Sequence, residues 1–186
     1  MIVIFGGRGL DNNPLGDSWG LRKHRTGRWD WVRAPEKGTP SARYQHSSLF
    51  VGPLMMVVGG RTNSVNEKLA LEVFNTETSE WTPFESIQRF RHGCWLQDKQ
   101  LMIYGGFELS TPNVPTDSIF KVSLSKLFEG THTLTARLRA LEAEPMVQSN
   151  EPAPRTPNTP NMHQPGGRVS ASGPRMAEEI VNKPVS

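Results

Sequence analysis

Leu101-Met102-Ile103-Tyr104-Gly105-Gly106 is the stretch that decides the fold, because the chain contains the same pattern three times. Ile2-Val3-Ile4-Phe5 runs into Gly6-Gly7, and Leu54-Met55-Met56-Val57-Val58 runs into Gly59-Gly60. Each is a short apolar run that ends at two residues without a Cβ. Glycine is needed where the backbone takes a positive φ or where a neighbour packs directly on the main chain. Three such units, spaced by 53 and 46 residues, predict a repeat protein.

Two further patterns recur at matching distances from the doublets. An Arg-x-x-His segment precedes the second and third doublets by the same distance, as Arg43-x-x-His46 and Arg89-x-x-His92. A threonine followed by a tryptophan recurs as Thr26-x-x-Trp29 and Thr78-x-x-Trp81. Each unit is therefore predicted to contain an Arg-x-x-His segment, a strand, the doublet, a second strand, a turn and a tryptophan-bearing strand.

This spacing predicts the blades of a β-propeller. Four short antiparallel strands, repeated roughly every 50 residues, are typical of such a blade. A blade has two apolar faces and must bury both against neighbouring sheets. We expect Trp29 and Trp81 to fill the space between sheets, so that loss of either to alanine costs about 3–5 kcal/mol. The residues expected to hold the repeats together are Gly6, Gly7, Trp29, Arg43, His46, Gly59, Gly60, Trp81, Arg89, His92, Gly105 and Gly106.

The pattern of apolar run, Gly-Gly, spaced strand and Trp resembles the kelch repeat. More narrowly, it resembles the kelch region of the plant and protist Ser/Thr protein phosphatases that carry kelch-like repeats ahead of a catalytic domain. The stretches that carry this resemblance are residues 56–64, 76–81, 89–92 and 103–108. The expected fold is therefore all-β, a partial kelch β-propeller of two complete blades plus a partial third, over residues 1–128.

The C-terminal third has a different composition. Residues 129–144 are predicted to form a short helical segment, with Leu134, Leu138 and Leu141 on one face. Packing on the sheets is the favoured role of this face, and binding a partner is the alternative. Residues 145–186 are rich in Pro, Ser, Asn and Gly and lack aromatic side chains, which predicts a disordered Pro-rich linker. Because the repeats start and stop within a unit, we expect a fragment of a ring, or a ring completed by another chain.

The resemblance implies a phosphatase domain that follows the propeller and holds two divalent metal ions. Its motifs, Asp-x-His, Gly-Asp-x-x-Asp-Arg-Gly and Gly-Asn-His-Glu, do not occur in this chain. The five histidines lack ligand spacing, and the single cysteine, Cys94, cannot form an intramolecular disulfide. We therefore predict no catalytic residue, no metal ligand and no cofactor within this chain.

Three stretches differ between the units and are the candidate binding loops: residues 11–16, 61–68 and 108–116. Loops on a rigid scaffold are where recognition usually resides. The side chains proposed to contact partners are Asn12, Asn13, Arg61, Asn63, Asn66, Glu108 and Asn113. The resemblance implies that these partners are phosphorylated signalling proteins, kinases included.

Two alternatives to a phosphatase docking module remain open. The first is a general kelch scaffold or adaptor, of the cytoskeletal or ubiquitin-ligase type. The second is an enzyme built into the propeller, like the copper oxidases with kelch-type blades. That alternative is disfavoured because Cys94 lies beside Trp95 and the only tyrosines are Tyr44 and Tyr104.

The charge of the chain is nearly balanced, with 21 basic and 18 acidic residues and a formal net charge of +3. This balance is too mild to indicate nucleic-acid or membrane-surface binding. Apolar runs fall well short of the ~18 residues that a membrane span needs. We therefore expect protein partners and an intracellular location, in the cytoplasm, the nucleus or both.

Overall fold

The computed structural model describes residues 2–34, 38 and 40–143 of the 186 residues. The described residues form thirteen strands and two helices. In chain order these are β1 (Ile2–Arg8), β2 (Pro14–Lys23), β3 (Trp29–Arg33), β4 (Ser47–Val51), β5 (Leu54–Val58), β6 (Ala70–Asn75), β7 (Glu80–Ser86), β8 (Arg89–Phe90), β9 (Gly93–Gln97), β10 (Gln100–Tyr104), β11 (Phe107–Glu108), β12 (Thr111–Pro115), β13 (Ile119–Ser123), α1 (Leu124–Leu127) and α2 (His132–Ala143). The predicted linker over residues 145–186 lies outside the described residues.

Three antiparallel sheets each contain one of the strands that run into a glycine doublet. Sheet 1 has the order β1-β2-β3, sheet 2 the order β4-β5-β6-β7, and sheet 3 the order β13-β10-β9. The short strands β12, β11 and β8 form a further small sheet, in that order. The prediction of an all-β fold built from small antiparallel sheets is confirmed.

The sequence predicts two complete units of four strands each. Among the described residues, only sheet 2 has four strands. In sheet 1 the strand β1, which carries Gly6-Gly7, is an edge strand. In sheet 3 the chain leaves β13 directly for the helix α1, so that no tryptophan-bearing strand follows. The helix α1 lies within residues 1–128, for which the sequence predicts strands only.

Sheet 2 lies between the other two sheets, and this position explains its continuous apolar run. All five residues of β5 are buried. Because side chains alternate along a strand, Met55 and Val57 pack with Phe5 of sheet 1. Leu54 and its alternate neighbours belong instead to the larger core, with Ile103 of sheet 3.

The two helices follow β13 in the chain and pack against sheets 2 and 3. Leu127, Leu134 and Leu138 are buried in the larger core, and the ring of Phe128 lies 5.6 Å from that of Phe84 on β7. The leucine face of α2 is therefore used for packing, as the sequence pattern favoured.

The two repeat tryptophans have unlike environments. Trp81 lies between Phe5 of sheet 1 and Phe74 of sheet 2, with ring centroids 5.0 and 4.9 Å away. Trp29 is 52% exposed and lies on the same face of sheet 1 as Ile4, which is 48% exposed. The expectation that Trp29 fills a core is wrong for the described residues, because no sheet among them covers this face.

We predict that Trp81→Ala lowers the free energy of unfolding by about 3 kcal/mol, because it removes contacts between two sheets. Trp29→Ala is the matched control and should cost less than about 1 kcal/mol, since its ring is half exposed. Urea unfolding monitored by circular dichroism measures both values. Equal losses for the two variants would contradict the assignment of Trp81 to the seam between sheets.

Candidate protein-interaction surface

The glycine doublets join each sheet to the segment that follows it. The Gly7 N–H donates to the Arg43 carbonyl at 2.9 Å, and the Gly60 N–H donates to the Arg89 carbonyl at 2.8 Å. A Cβ built on Gly6 would lie 2.7 Å from the Arg43 carbonyl oxygen, and one on Gly59 would lie 2.1 Å from that of Arg89. Both glycines also have φ near +60°. Only glycine permits this approach.

The third doublet has a similar backbone conformation, but its first glycine has a different neighbour. Gly105 and Gly106 have φ of +67° and +80°, close to the values at the other doublets. A Cβ on Gly105 would find nothing nearer than the Thr116 carbonyl oxygen at 3.6 Å. No further Arg-x-x-His segment follows within the described residues, and this accounts for the open space.

The side chain of Arg43 is fully buried and holds its own sheet together. Its Nη1 donates to the carbonyls of Gly59 and Ala70 at 3.0 and 2.7 Å. Its Nη2 donates to Glu72 Oε2 at 2.7 Å, and its Nε to the Ser41 carbonyl at 3.0 Å. Burial lowers the pKa of Arg43, and the Glu72 carboxylate opposes that shift. These contacts assign Arg43 a structural role.

Arg89 repeats these contacts with a different counter-charge. Its Nη1 donates to the carbonyls of Gly105 and Ser118 at 3.2 and 3.3 Å. Its Nη2 donates to Glu108 Oε1 at 2.7 Å, and its guanidinium carbon lies 4.3 Å from the ring centroid of Phe120. Burial lowers the pKa of Arg89, and Glu108 opposes the shift.

In this unit the carboxylate comes from β11, where Glu108 pairs with Arg89 of β8, because Phe120 takes the position that Glu72 has in sheet 2. Phe120 pairs with Ile103 in sheet 3, as Glu72 pairs with Val57 in sheet 2. Glu108, which the sequence analysis assigned to partner binding, is therefore used within the fold. Its side chain is 40% exposed, so it contributes to the surface only in part.

The two histidines of the Arg-x-x-His segments pack against the first glycines of the doublets. A Cβ on Gly6 would lie 3.2 Å from His46 Cε1, and one on Gly59 would lie 2.8 Å from His92 Cε1. Burial, and next the charges of Arg43 and Arg89 respectively, lower the pKa of each histidine to about 4. Both are therefore neutral at pH 7 and fill space between sheets.

The candidate loops lie at the end of the sheets where the doublets occur. The Asn63 side chain donates to the Asn12 carbonyl at 3.0 Å, and this bond joins the first loop to the second. In the third loop, residues 111–115 form the strand β12, which pairs with β11. The asparagines that the sequence analysis selected are all exposed: Asn12, Asn13, Asn63, Asn66 and Asn113.

A row of arginines and aromatic rings crosses the same end of the molecule. We call it the Arg–aromatic row, and its members are Arg8, Tyr44, Arg61, Phe90, Phe107 and Arg91. The guanidinium carbons of Arg8 and Arg61 lie 5.2 and 5.9 Å from the ring centroid of Tyr44. Arg61 also lies 5.0 Å from the ring of Phe90, which stacks on Phe107 at 5.5 Å.

The row arises from the repeat itself. Tyr44 and Phe90 directly follow the buried arginines, whereas Arg8, Arg61 and Phe107 directly follow the doublets. Tyr44 pairs with Arg61 through reciprocal backbone hydrogen bonds of 3.0 Å, and Phe90 pairs with Phe107 in the same way along β8 and β11. The sequence analysis selected only Arg61 from this row. The equivalent positions in the repeat were the signal that could have revealed the others.

In residues 2–34, 38 and 40–143, no three His, Cys, Asp or Glu side chains lie close enough together to hold a metal ion. Neither described helix is long and apolar enough to cross a membrane.

Comparison with known proteins supports a kelch-repeat assignment at low identity. The chain is 36% identical over 90 residues to the serine/threonine-protein phosphatase BSL2 of Arabidopsis thaliana, an alignment that covers 47% of this chain and 9% of that protein. It is 26% identical over 125 residues to an F-box/kelch-repeat protein of the same plant, covering 59% of this chain and 26% of the relative. It is also 29% identical over 123 residues to the leucine-zipper-like transcriptional regulator 1 homolog of Drosophila melanogaster, with coverages of 58% and 12%.

These relatives are kelch-repeat proteins, and such proteins generally bind other proteins. No family model matches the chain. The chain spans between 9% and 26% of the length of the three relatives named above.

We predict that Gly59→Ala destabilises the fold by about 3 kcal/mol or more, because its Cβ would overlap the Arg89 carbonyl at a positive φ. Gly27→Ala is the matched control, since Gly27 has φ of +86° but nothing within 4 Å of the added Cβ. The control should lose only about 1 kcal/mol. Thermal and urea unfolding test both variants, and similar losses would argue against the close approach at Gly59.

We predict that stability falls as the pH drops from 7 to 5. His46 and His92 have folded pKa values of about 4, below the ordinary 6.5, so the unfolded state binds protons that the folded state does not. The loss should be about 2 kcal/mol for each histidine over this range. Urea midpoints measured at several pH values check the slope.

A variant with one of these histidines removed gives the control for the pH dependence. His92→Gln should flatten the slope by about half, whereas His132→Gln, at an exposed position on α2, should leave it unchanged. A slope that His92→Gln does not alter would show that another group causes it.

Proposed function

We propose that this chain is a kelch-type protein-interaction module of a Ser/Thr protein phosphatase, and that it docks phosphorylated signalling proteins. The carrying observation is the shared end of the three sheets, where the exposed loops and the Arg–aromatic row lie together. The Asn63–Asn12 hydrogen bond ties loops of two different sheets, so a partner would meet one surface rather than separate loops. The similarity to the phosphatase BSL2 supports the phosphatase context.

In this proposal, catalysis belongs to a separate domain of a longer protein. That domain would hold the two divalent metal ions that activate water for phosphoester hydrolysis. The present chain would contribute selection of the substrate protein, in the cytoplasm or the nucleus. The partner class that the family resemblance implies is phosphorylated signalling proteins, kinases included.

A general scaffold or adaptor is the second candidate function. The similarity to an F-box/kelch-repeat protein over 59% of this chain favours it. The transcript that encodes the chain separates the two candidates. Phosphatase metal-ligand motifs in the same reading frame would support the first, and a different domain would support the second.

We predict that a partner contacts the loop end of the sheets and not the opposite end. A photo-crosslinking amino acid at Asn66 or Asn113, both exposed, should give protein adducts in a cell extract. The matched control is the same probe at Thr78, which is exposed in the turn between β6 and β7 at the other end. Treatment of the extract with a phosphatase should reduce the adducts several-fold.

Mass spectrometry of the adducts identifies the partner and the crosslinked peptide. Equal adduct formation at Thr78 would contradict docking at the loop end. Adducts that phosphatase treatment leaves unchanged would contradict a preference for phosphorylated partners, and would favour the general scaffold.

A further inference from the structure

Two arginines at the loop end are held by an aromatic ring and not by a counter-charge. Arg8 and Arg61 each lie within 6 Å of the Tyr44 ring centroid. Across residues 2–34, 38 and 40–143, no carboxylate oxygen lies within 4 Å of either guanidinium. The buried Arg43 and Arg89, in contrast, each pair with a carboxylate at 2.7 Å.

Hydrogen bonds with backbone groups restrain both Arg8 and Arg61. Arg61 and Tyr44 exchange two main-chain hydrogen bonds, and the Tyr44 hydroxyl donates to the Thr62 carbonyl at 3.2 Å. Arg8 Nε donates to the Asn12 carbonyl at 3.1 Å. The two like charges therefore share the Tyr44 ring as a contact, and neither has a described carboxylate as a counter-charge.

We infer that Arg8 and Arg61 bind the phosphate group of a phosphorylated segment of a partner protein, an inference that rests on the proposed function. Stacking uses the flat face of a guanidinium and leaves N–H groups at its edge free to donate. Those groups match phosphate oxygens in a bidentate geometry. A phosphate monoester carries close to two negative charges at pH 7, so it can balance both arginines, whereas a single carboxylate balances one.

The rest of the row determines what flanks the phosphate. Phe107 is partly exposed and stacks on the buried Phe90, which favours an apolar residue beside the phosphorylated one. Arg91 lies 6.0 Å from the Phe107 ring centroid. Two carboxylates lie on the same loops, where Asp11 accepts from the Asn13 side chain at 2.7 Å and Glu67 accepts from the Thr62 hydroxyl at 2.5 Å. They disfavour strongly acidic flanking segments.

Fluorescence polarisation with degenerate peptide pools tests the inference on the full chain. One pool has a fixed central phosphothreonine, a second has threonine and a third has glutamate at that position. We expect the phosphothreonine pool to bind at least about tenfold more tightly than the other two. Arg8→Ala and Arg61→Ala should each weaken it by about tenfold, and the double variant should bind all three pools equally.

Two further variants separate the phosphate site from charge and folding effects. Arg25→Ala removes the same charge from the turn between β2 and β3, at the opposite end of sheet 1, and should bind like the parent chain. Arg61→Lys keeps the positive charge but cannot donate two parallel hydrogen bonds to a phosphate. Its affinity for the phosphothreonine pool should therefore fall several-fold, while its melting temperature stays near that of the parent chain. Affinity unchanged in Arg61→Lys and in the double variant would overturn the inference.

The outcomes distinguish this inference from the proposed function. If the glutamate pool binds as tightly as the phosphothreonine pool, or if no pool binds while loop-end crosslinks still form, the phosphate site is refuted and the docking function stands. If neither peptide binding nor loop-specific crosslinking occurs, both fail.

Discussion

A backbone hydrogen bond between a glycine amide and an arginine carbonyl is the contact on which the rest of the structure depends. Gly7 and Gly60 donate to Arg43 and Arg89, respectively, across two successive seams. Each arginine thus serves two sheets, because its carbonyl accepts from the preceding sheet while its guanidinium binds carbonyls of its own. A side chain on the first glycine of the doublet would push that carbonyl away. The recurring glycines and arginines therefore mark the junctions between successive sheets.

The junctions also build the surface at the loop end. Tyr44 directly follows Arg43 in the chain. The hydrogen bond to the Arg43 carbonyl therefore also fixes the backbone from which the Tyr44 side chain extends. Arg61 directly follows the second doublet and pairs with Tyr44. Side chains that belong to different sheets consequently meet in one row. The same residues that stabilise the stack of sheets position the groups available to a partner.

The sequence was sufficient to predict the parts of the structure that local pattern determines. The strands before the doublets, and the seam position of Trp81, follow from apolar runs and matched spacing. The exposure of Trp29 could not be predicted, because burial depends on a covering sheet and not on the tryptophan itself. The pairing of Arg89 with Glu108 was hidden for a related reason. Phe120 occupies the carboxylate position in β13, and only the pairing of β8 with β11 brings Glu108 within 2.7 Å of Arg89.

The four arginines at the junctions and in the row divide into two groups by what balances their charge. A buried guanidinium loses hydration, and it persists only where carbonyls and a carboxylate replace water. Arg43 meets that condition at all three guanidinium nitrogens, and Arg89 meets it at its two terminal nitrogens. A partly exposed guanidinium keeps part of its hydration, so the quadrupole of an aromatic ring is enough to hold it. Arg8 and Arg61 are held in this second way and keep their charge available at the surface. The counter-charge therefore separates the scaffold arginines, which begin the Arg-x-x-His segments, from Arg8 and Arg61, which follow the doublets and can recognise an anion.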